Sequence, residues 1–137
     1  MAEQFYRGYV LIPDGFPLDY AKYFLFCHAI EVSLKAFLVH IAYDEDKLRR
    51  EFGHDLARLL REAKARGLTI SDNCVWELTH LSEPHLNFWT RYPRAEWNTG
   101  IAVVKQFESP ALDLLDAVSL AIYGAPIIRS WIAQQTA

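Results

Sequence analysis

The stretch FLFCHAIEVSLKAFLVH, residues 24–40, decides the fold class of this chain. Phe26, Ile30, Leu34, Phe37 and Ile41 recur every three or four residues, the spacing that lines one face of an α-helix. Phe24, Val32 and Val39 extend the apolar character to the other side. A helix that is apolar nearly all round is central to its fold, or shared between a core and a subunit interface. The spacing predicts a helix from about Asp19 to Tyr43. Three ionisable residues interrupt it. His28, Glu31 and Lys35 are separated by three and four positions, so they share one face as a narrow polar stripe. Glu31 precedes Lys35 by four residues, the better orientation for an intrahelical ion pair. A partly buried pair also needs hydrogen bonds from another segment.

The rest of the chain reads as further helices. LIPDGFPLDY (11–20) holds Pro13, Gly15 and Pro17, so residues 1–18 are expected to be a lead-in to one domain over 19–137. DEDKLRREFGHDL (44–56) is a charged short helix or turn that breaks at Gly53. Leu56, Leu59, Leu60 and Ala63 have i, i+3, i+4, i+7 spacing in a helix over Asp55–Arg66, closed by Gly67. Ser71 or Asp72 offers the next N-cap, for a helix toward Leu81, and Pro84 kinks it or starts another reaching about Thr90. RYPRAEWNTG (91–100) is a loop, and GIAVVKQF (100–107) has strand character but no partner strand. Ser109 and Pro110 open a helix to about Tyr123, and IIRSWIAQQ continues as a terminal helix. The expected class is all-α, an up-and-down bundle of four to five helices.

Composition limits the function classes. A chain of 137 residues with 52% apolar and 23% charged residues is globular and long enough for a real core. A net charge of -3 argues against a surface that grips nucleic acid everywhere, while leaving room for a local basic site. Aromatic residues at 14% exceed what a minimal bundle needs, which points to an interface. Cys27 and Cys74 lie in apolar helical contexts and read as reduced core residues. Charges inside the longest apolar run argue against a membrane span, and no signal-peptide pattern opens the chain, so a cytoplasmic protein is expected.

Two segments can meet the polar stripe. In FGHDL (52–56), Gly53 permits a sharp turn, and His54 and Asp55 sit where a helix begins. Asp55 there is an N-cap; alternatively, the helix start with its adjacent imidazole is an anion site. In FWTRYPRAEW (88–97), Arg91 can fork onto a carboxylate or phosphate, and Tyr92 or Trp89 can stack on a base. Arg91 can equally bridge to Glu31 with the aromatics in the core. Cys74, His80 and His85 do not make a zinc site, because the two histidines are five apart and Pro84 separates them. No glycine loop cradles a phosphate, and no metal or cofactor is expected. The basic residues of 47–66 are interleaved with acidic ones, the pattern of a solvated face.

HAIEVSLKAFL, then GHDL before an amphipathic helix, then RYP after a further helix, resemble in that order the HEPN domain family. The resemblance covers about residues 20–123. It implies a small helical bundle, often dimeric, that binds nucleotides, cleaves RNA, or acts as a non-catalytic partner in toxin–antitoxin or defence systems. The ribonuclease members carry an Arg-x4–6-His motif at the head of a late helix, and here no histidine follows Arg91 or Arg94. Arg49 and His54 match by count, but in the connector before the second long helix. The nuclease activity is therefore not carried over. The resulting expectation is a non-catalytic nucleotide or RNA binder: Lys35, His54 and Arg91 hold the phosphate, Glu31 orients them, Tyr92 stacks, and His28 and Asp55 support. A homodimer and a nucleotidyltransferase-type partner protein go with that reading. The rival is an interaction module whose polar cluster only pins the fold. A third reading is an active ribonuclease that pairs Arg91 with His54.

Overall fold

The computed structural model describes residues 1–13, 20–90 and 105–136. Among these the chain is all-α, with eight α-helices and no strand. They are α1 (Ala2–Leu11), α2 (Tyr20–His40), α3 (Glu45–Glu51), α4 (Leu56–Ala65), α5 (Asp72–Thr79), α6 (Ser82–Thr90), α7 (Glu108–Tyr123) and α8 (Ile128–Thr136). The number exceeds the four or five expected. The segment expected as a short helix or turn is the helix α3, the break near Pro84 gives a separate helix α6, and α1 occupies residues assigned to a lead-in. The strand-like run does not appear as one where it is described: Lys105–Phe107 is a single 3-10 turn.

Helix α2 is the axis of the fold, packed by α1, α7, α4 and α6. Residues Ala21–His40 are apolar and long enough, by length and composition alone, to cross a membrane. In the fold part of that surface is used internally, since Phe26, Cys27, Ala29, Ile30, Leu34 and Leu38 are fully buried. Each such large side chain contributes roughly 1.5–3 kcal/mol when taken out of water. Helix α1 supplies two aromatic anchors. Tyr6 and Tyr9 are buried, with ring centroids 5.9 and 5.0 Å from Phe26. Tyr9 Oη also donates to Glu108 on α7 at 2.6 Å, giving the phenol a partner and tying α1 to α7.

Local chemistry sets the helix ends. Asp44 accepts from the amide of Lys47, Asp55 from Arg58 and Ser71 from Cys74, each satisfying an amide in a first helical turn. Pro84 is the third residue of α6, where a missing N–H costs nothing. Helix α2 ends differently. The amide of Tyr43 reaches the carbonyl of Leu38 and that of Ala42 the carbonyl of Val39, with Ala42 in the left-handed region at φ 83°.

The leucines of α4 behave as their spacing predicts: Leu56, Leu59, Leu60 and Ala63 are fully buried. They pack toward α2 and α5, while Leu114, Leu115 and Val118 of α7 close the other side. The terminal helix α8 docks on its own chain. Ile128 is fully buried, Arg129 pairs with Asp113 and Asp116 of α7, and Arg7 of α1 lies 4.7 Å over the Trp131 ring.

Candidate functional site

Glu31 sits midway along α2 and is 1% exposed. A carboxylate in that position must be satisfied by donors or neutralised. Three side chains supply the donors. Lys35 Nζ lies 2.7 Å from Oε1, His54 Nδ1 lies 2.8 Å from Oε1, and His85 Nε2 lies 2.6 Å from Oε2. An ionised carboxylate only accepts, so both facing ring nitrogens carry their protons. Burial pushes the Glu31 carboxyl upward, but the hydrogen bonds from His85, Lys35 and His54, with the Lys35 charge, outweigh it and hold it at about 2.

Three elements bring these groups together. Lys35 follows Glu31 by one helical turn. His54 stands in the turn between α3 and α4, where Gly53 adopts φ 53° and permits the sharp reversal. His85 lies in the first turn of α6. Its placement depends on a clamp: Ser82 Oγ accepts from the amide of Ala57 at 3.0 Å and donates to Asp55 Oδ1 at 3.2 Å. Asp55 also accepts from the amide of Arg58 at 3.1 Å. The starts of α4 and α6 are thus cross-linked, which sets His54 against Oε1 and His85 against Oε2 of Glu31, their rings perpendicular and 6.2 Å apart.

The expected residues divide three ways. Glu31, Lys35 and His54 converge. Asp55 caps α4, and with Ser82 it occupies two amides at that helix start, the place considered for an anion. His28 shares the electrostatic neighbourhood of Glu31, while its ring stacks on Phe24 at 5.2 Å and meets Phe5 edge-on at 4.5 Å. Burial, the largest influence on it, lowers its pKa. Arg91 and Tyr92 lie outside the described residues. The residue that sequence reasoning missed is His85, wholly buried and the shortest contact to Glu31. In the sequence its near neighbours of similar chemistry are Cys74 and His80. Those three do separate: Cys74 Sγ faces the carbonyl of Pro110, and His80 is exposed and bonded to the carbonyl of Trp76. An available signal was the apolar residue one turn before it, Leu81, which puts His85 on a buried face of its helix.

A second candidate region lies between α3 and α4. A cavity of about 490 Å³ is lined by Lys47, Arg58, Arg61 and Arg66, with Tyr43 and Phe52 between them. Glu51 and Glu62 also line it, so four cations face two carboxylates. Glu62 is engaged by the Tyr43 hydroxyl and by Arg66 Nε at 2.9 Å; those bonds, the Tyr43 one foremost, hold its carboxyl below the ordinary range. Arg58 donates to the backbone carbonyl of Glu51 and lies 5.0 Å over the Phe52 ring. Arg61 is exposed and has no ion-pair partner among the described residues.

Comparison with protein families, with characterised proteins and with solved structures finds no match to this chain. A functional reading therefore rests on the chemistry and shape of the described residues.

Proposed function

We propose that the protein is a HEPN-like helical bundle module, non-catalytic, that binds a nucleotide or RNA through its phosphates. The observation that carries this reading is the basic cavity between α3 and α4, which pairs guanidinium groups with aromatic rings. Guanidinium forks match phosphate oxygens, and Tyr43 offers a ring on which a base can stack. The 47–66 segment reads from sequence as a solvated face; folding makes it concave and turns two of its acids into internal partners of Tyr43 and Arg66 or a wall of the cavity. The family resemblance is supported by the meeting of two of its motifs, with Glu31 of HAIEVSLKAFL bonded to His54 of GHDL. The non-catalytic assignment is supported by the engagement of Arg49 with Asp46 at 2.9 Å and of His54 with Glu31, so each member of the pair that matches the ribonuclease spacing has another partner. A role in toxin–antitoxin or defence systems, beside a nucleotidyltransferase-type partner, belongs to the same proposal.

Calorimetric titration with nucleoside phosphates and short single-stranded RNA tests it. Binding is expected to weaken with salt, by a slope of roughly 0.7 per phosphate contacted on RNA. Arg61→Ala, at an exposed position, reduces both affinity and slope without altering the fold. Absence of heat with every ligand, or unchanged affinity in both Arg58→Ala and Arg61→Ala, defeats the reading. Incubation with labelled RNA checks the non-catalytic assignment, which cleavage abolished by His54→Ala overturns.

A second reading, an interaction module acting as a homodimer, is favoured by an apolar groove of about 560 Å³ where α2, α3 and α7 meet. Val32, Val39, Leu48, Ile122 and Tyr123 line it, and Tyr123 is 68% exposed. Sedimentation of wild type and Tyr123→Glu distinguishes the two: a dimer lost in the variant supports this reading, and a monomer at all concentrations removes it.

A further inference from the structure

The side chains around Glu31 are of a type and arrangement that suits more than a structural pin. A carboxylate and two imidazoles come from three separate elements, and their Glu31 oxygen, His54 Nδ1 and His85 Nε2 atoms all lie within 4.8 Å of one another. We propose that Glu31, His54 and His85 bind a divalent transition-metal cation of the zinc class. Two imidazoles and one carboxylate are a donor set that zinc accepts with a fourth position left for water.

Distances support the fit. Ligand atoms about a tetrahedral zinc stand roughly 3.3 Å apart, given bonds of about 2.0–2.2 Å. The two carboxylate–imidazole contacts, 2.8 Å to Oε1 and 2.6 Å to Oε2, need to open by about 0.5 and 0.7 Å, and the two imidazole nitrogens, within 4.8 Å of each other, need to close, for a cation to replace the protons between them. A neutral imidazole can do this by moving its proton to the other ring nitrogen, so no net charge is expelled.

The surroundings are set up for a held ligand. His85 and Glu31 are shielded from water, whereas the His54 side chain is 38% exposed and leaves a route for an ion and a place for water. The Ser82–Asp55 clamp fixes the two helix starts that carry the histidines. Such outer contacts orient ligands and raise affinity. Lys35 opposes the cation. Its ammonium lies 2.7 Å from Glu31 Oε1, but the side chain is 26% exposed and can swing outward, or remain on Oε1 while Oε2 ligates.

Titration of chelator-stripped, full-length protein with Zn²⁺, read by calorimetry and by the melting temperature, tests the site. One ion per chain and a melting temperature that rises with zinc are expected. His54→Ala, at the water-accessible edge, keeps the fold by circular dichroism and loses affinity by at least about tenfold, as even outer-contact changes do. Lys35→Met tightens binding severalfold, an effect that a purely structural cluster does not produce. His80→Ala, at an exposed histidine on the loop after α5, leaves binding unchanged. The proposal is overturned if folded wild type takes up no zinc, if His54→Ala binds as wild type does, or if His80→Ala abolishes uptake.

Discussion

His85 Nε2 stands 2.6 Å from Glu31 Oε2, and neither side chain is more than 2% exposed. This contact joins α6 to the central helix across 54 residues of sequence. It places a charged hydrogen bond in a region from which water is excluded, where losing either partner is costly.

The acid response of the metal-free protein follows from Glu31. Its carboxyl is held at about 2 in the fold against an ordinary 4.5. A depressed carboxyl contributes stability that is fully present above about pH 4.5 and is lost as pH falls toward 2. The contribution is on the order of 3 kcal/mol. Urea unfolding at stepped pH, with chelator present, should show this loss in wild type and a shallower acid limb in Glu31→Gln. Identical limbs would mean that other carboxylates govern acid unfolding.

The three partners of Glu31 are not equivalent. His85→Ala removes a buried donor and leaves the carboxylate short of one bond, at an expected cost of about 3–5 kcal/mol. Lys35→Ala costs under about 1 kcal/mol, because Lys35 is partly solvated and two imidazoles remain. Denaturant midpoints of the two variants give the ranking directly. A larger loss from Lys35→Ala would show that net charge, rather than imidazole hydrogen bonding, stabilises the cluster.

Ala42 holds a left-handed conformation at φ 83° where α2 closes. A side chain is disfavoured there, and glycine relieves the strain at the cost of a more flexible unfolded chain. Ala42→Gly should therefore stabilise the protein by about 0.5–1 kcal/mol, seen as a raised thermal midpoint. No change, or a decrease, would indicate that the turn is not strained.

Docking of α8 rests on burial more than on charge. Ile128 is fully buried, while Arg129 and Asp113 are each about half exposed in their ion pair. Ile128→Ala should cost about 2–5 kcal/mol and expose the C-terminal segment to protease. Arg129→Ala should cost less than about 1 kcal/mol and leave proteolysis unchanged. Equal protease sensitivity in both variants would place the ion pairs, not the isoleucine, at the centre of docking.

Features governed by neighbours along the chain are legible in the sequence alone. The α2 helix, the caps at Asp55 and Ser71, the turn at Gly53 and the pairing of Glu31 with Lys35 each need only residues within a few positions. Helical periodicity and capping are local physics, so the pattern on the chain is enough. The helix over Ala2–Leu11 is not legible in this way, because its two buried tyrosines are tethered by the Phe26 ring and Glu108 rather than by a strong repeat of their own. The same holds for His85. Nothing adjacent to it in sequence shows that a carboxylate lies beyond its ring. By itself, then, the amino-acid order determined an all-helical chain with a polar stripe along its central helix. Only the tertiary structure decided what meets that stripe, because packing of α4 and α6 against α2, locked by Ser82 and Asp55, chooses among donors that local energetics leave indistinguishable.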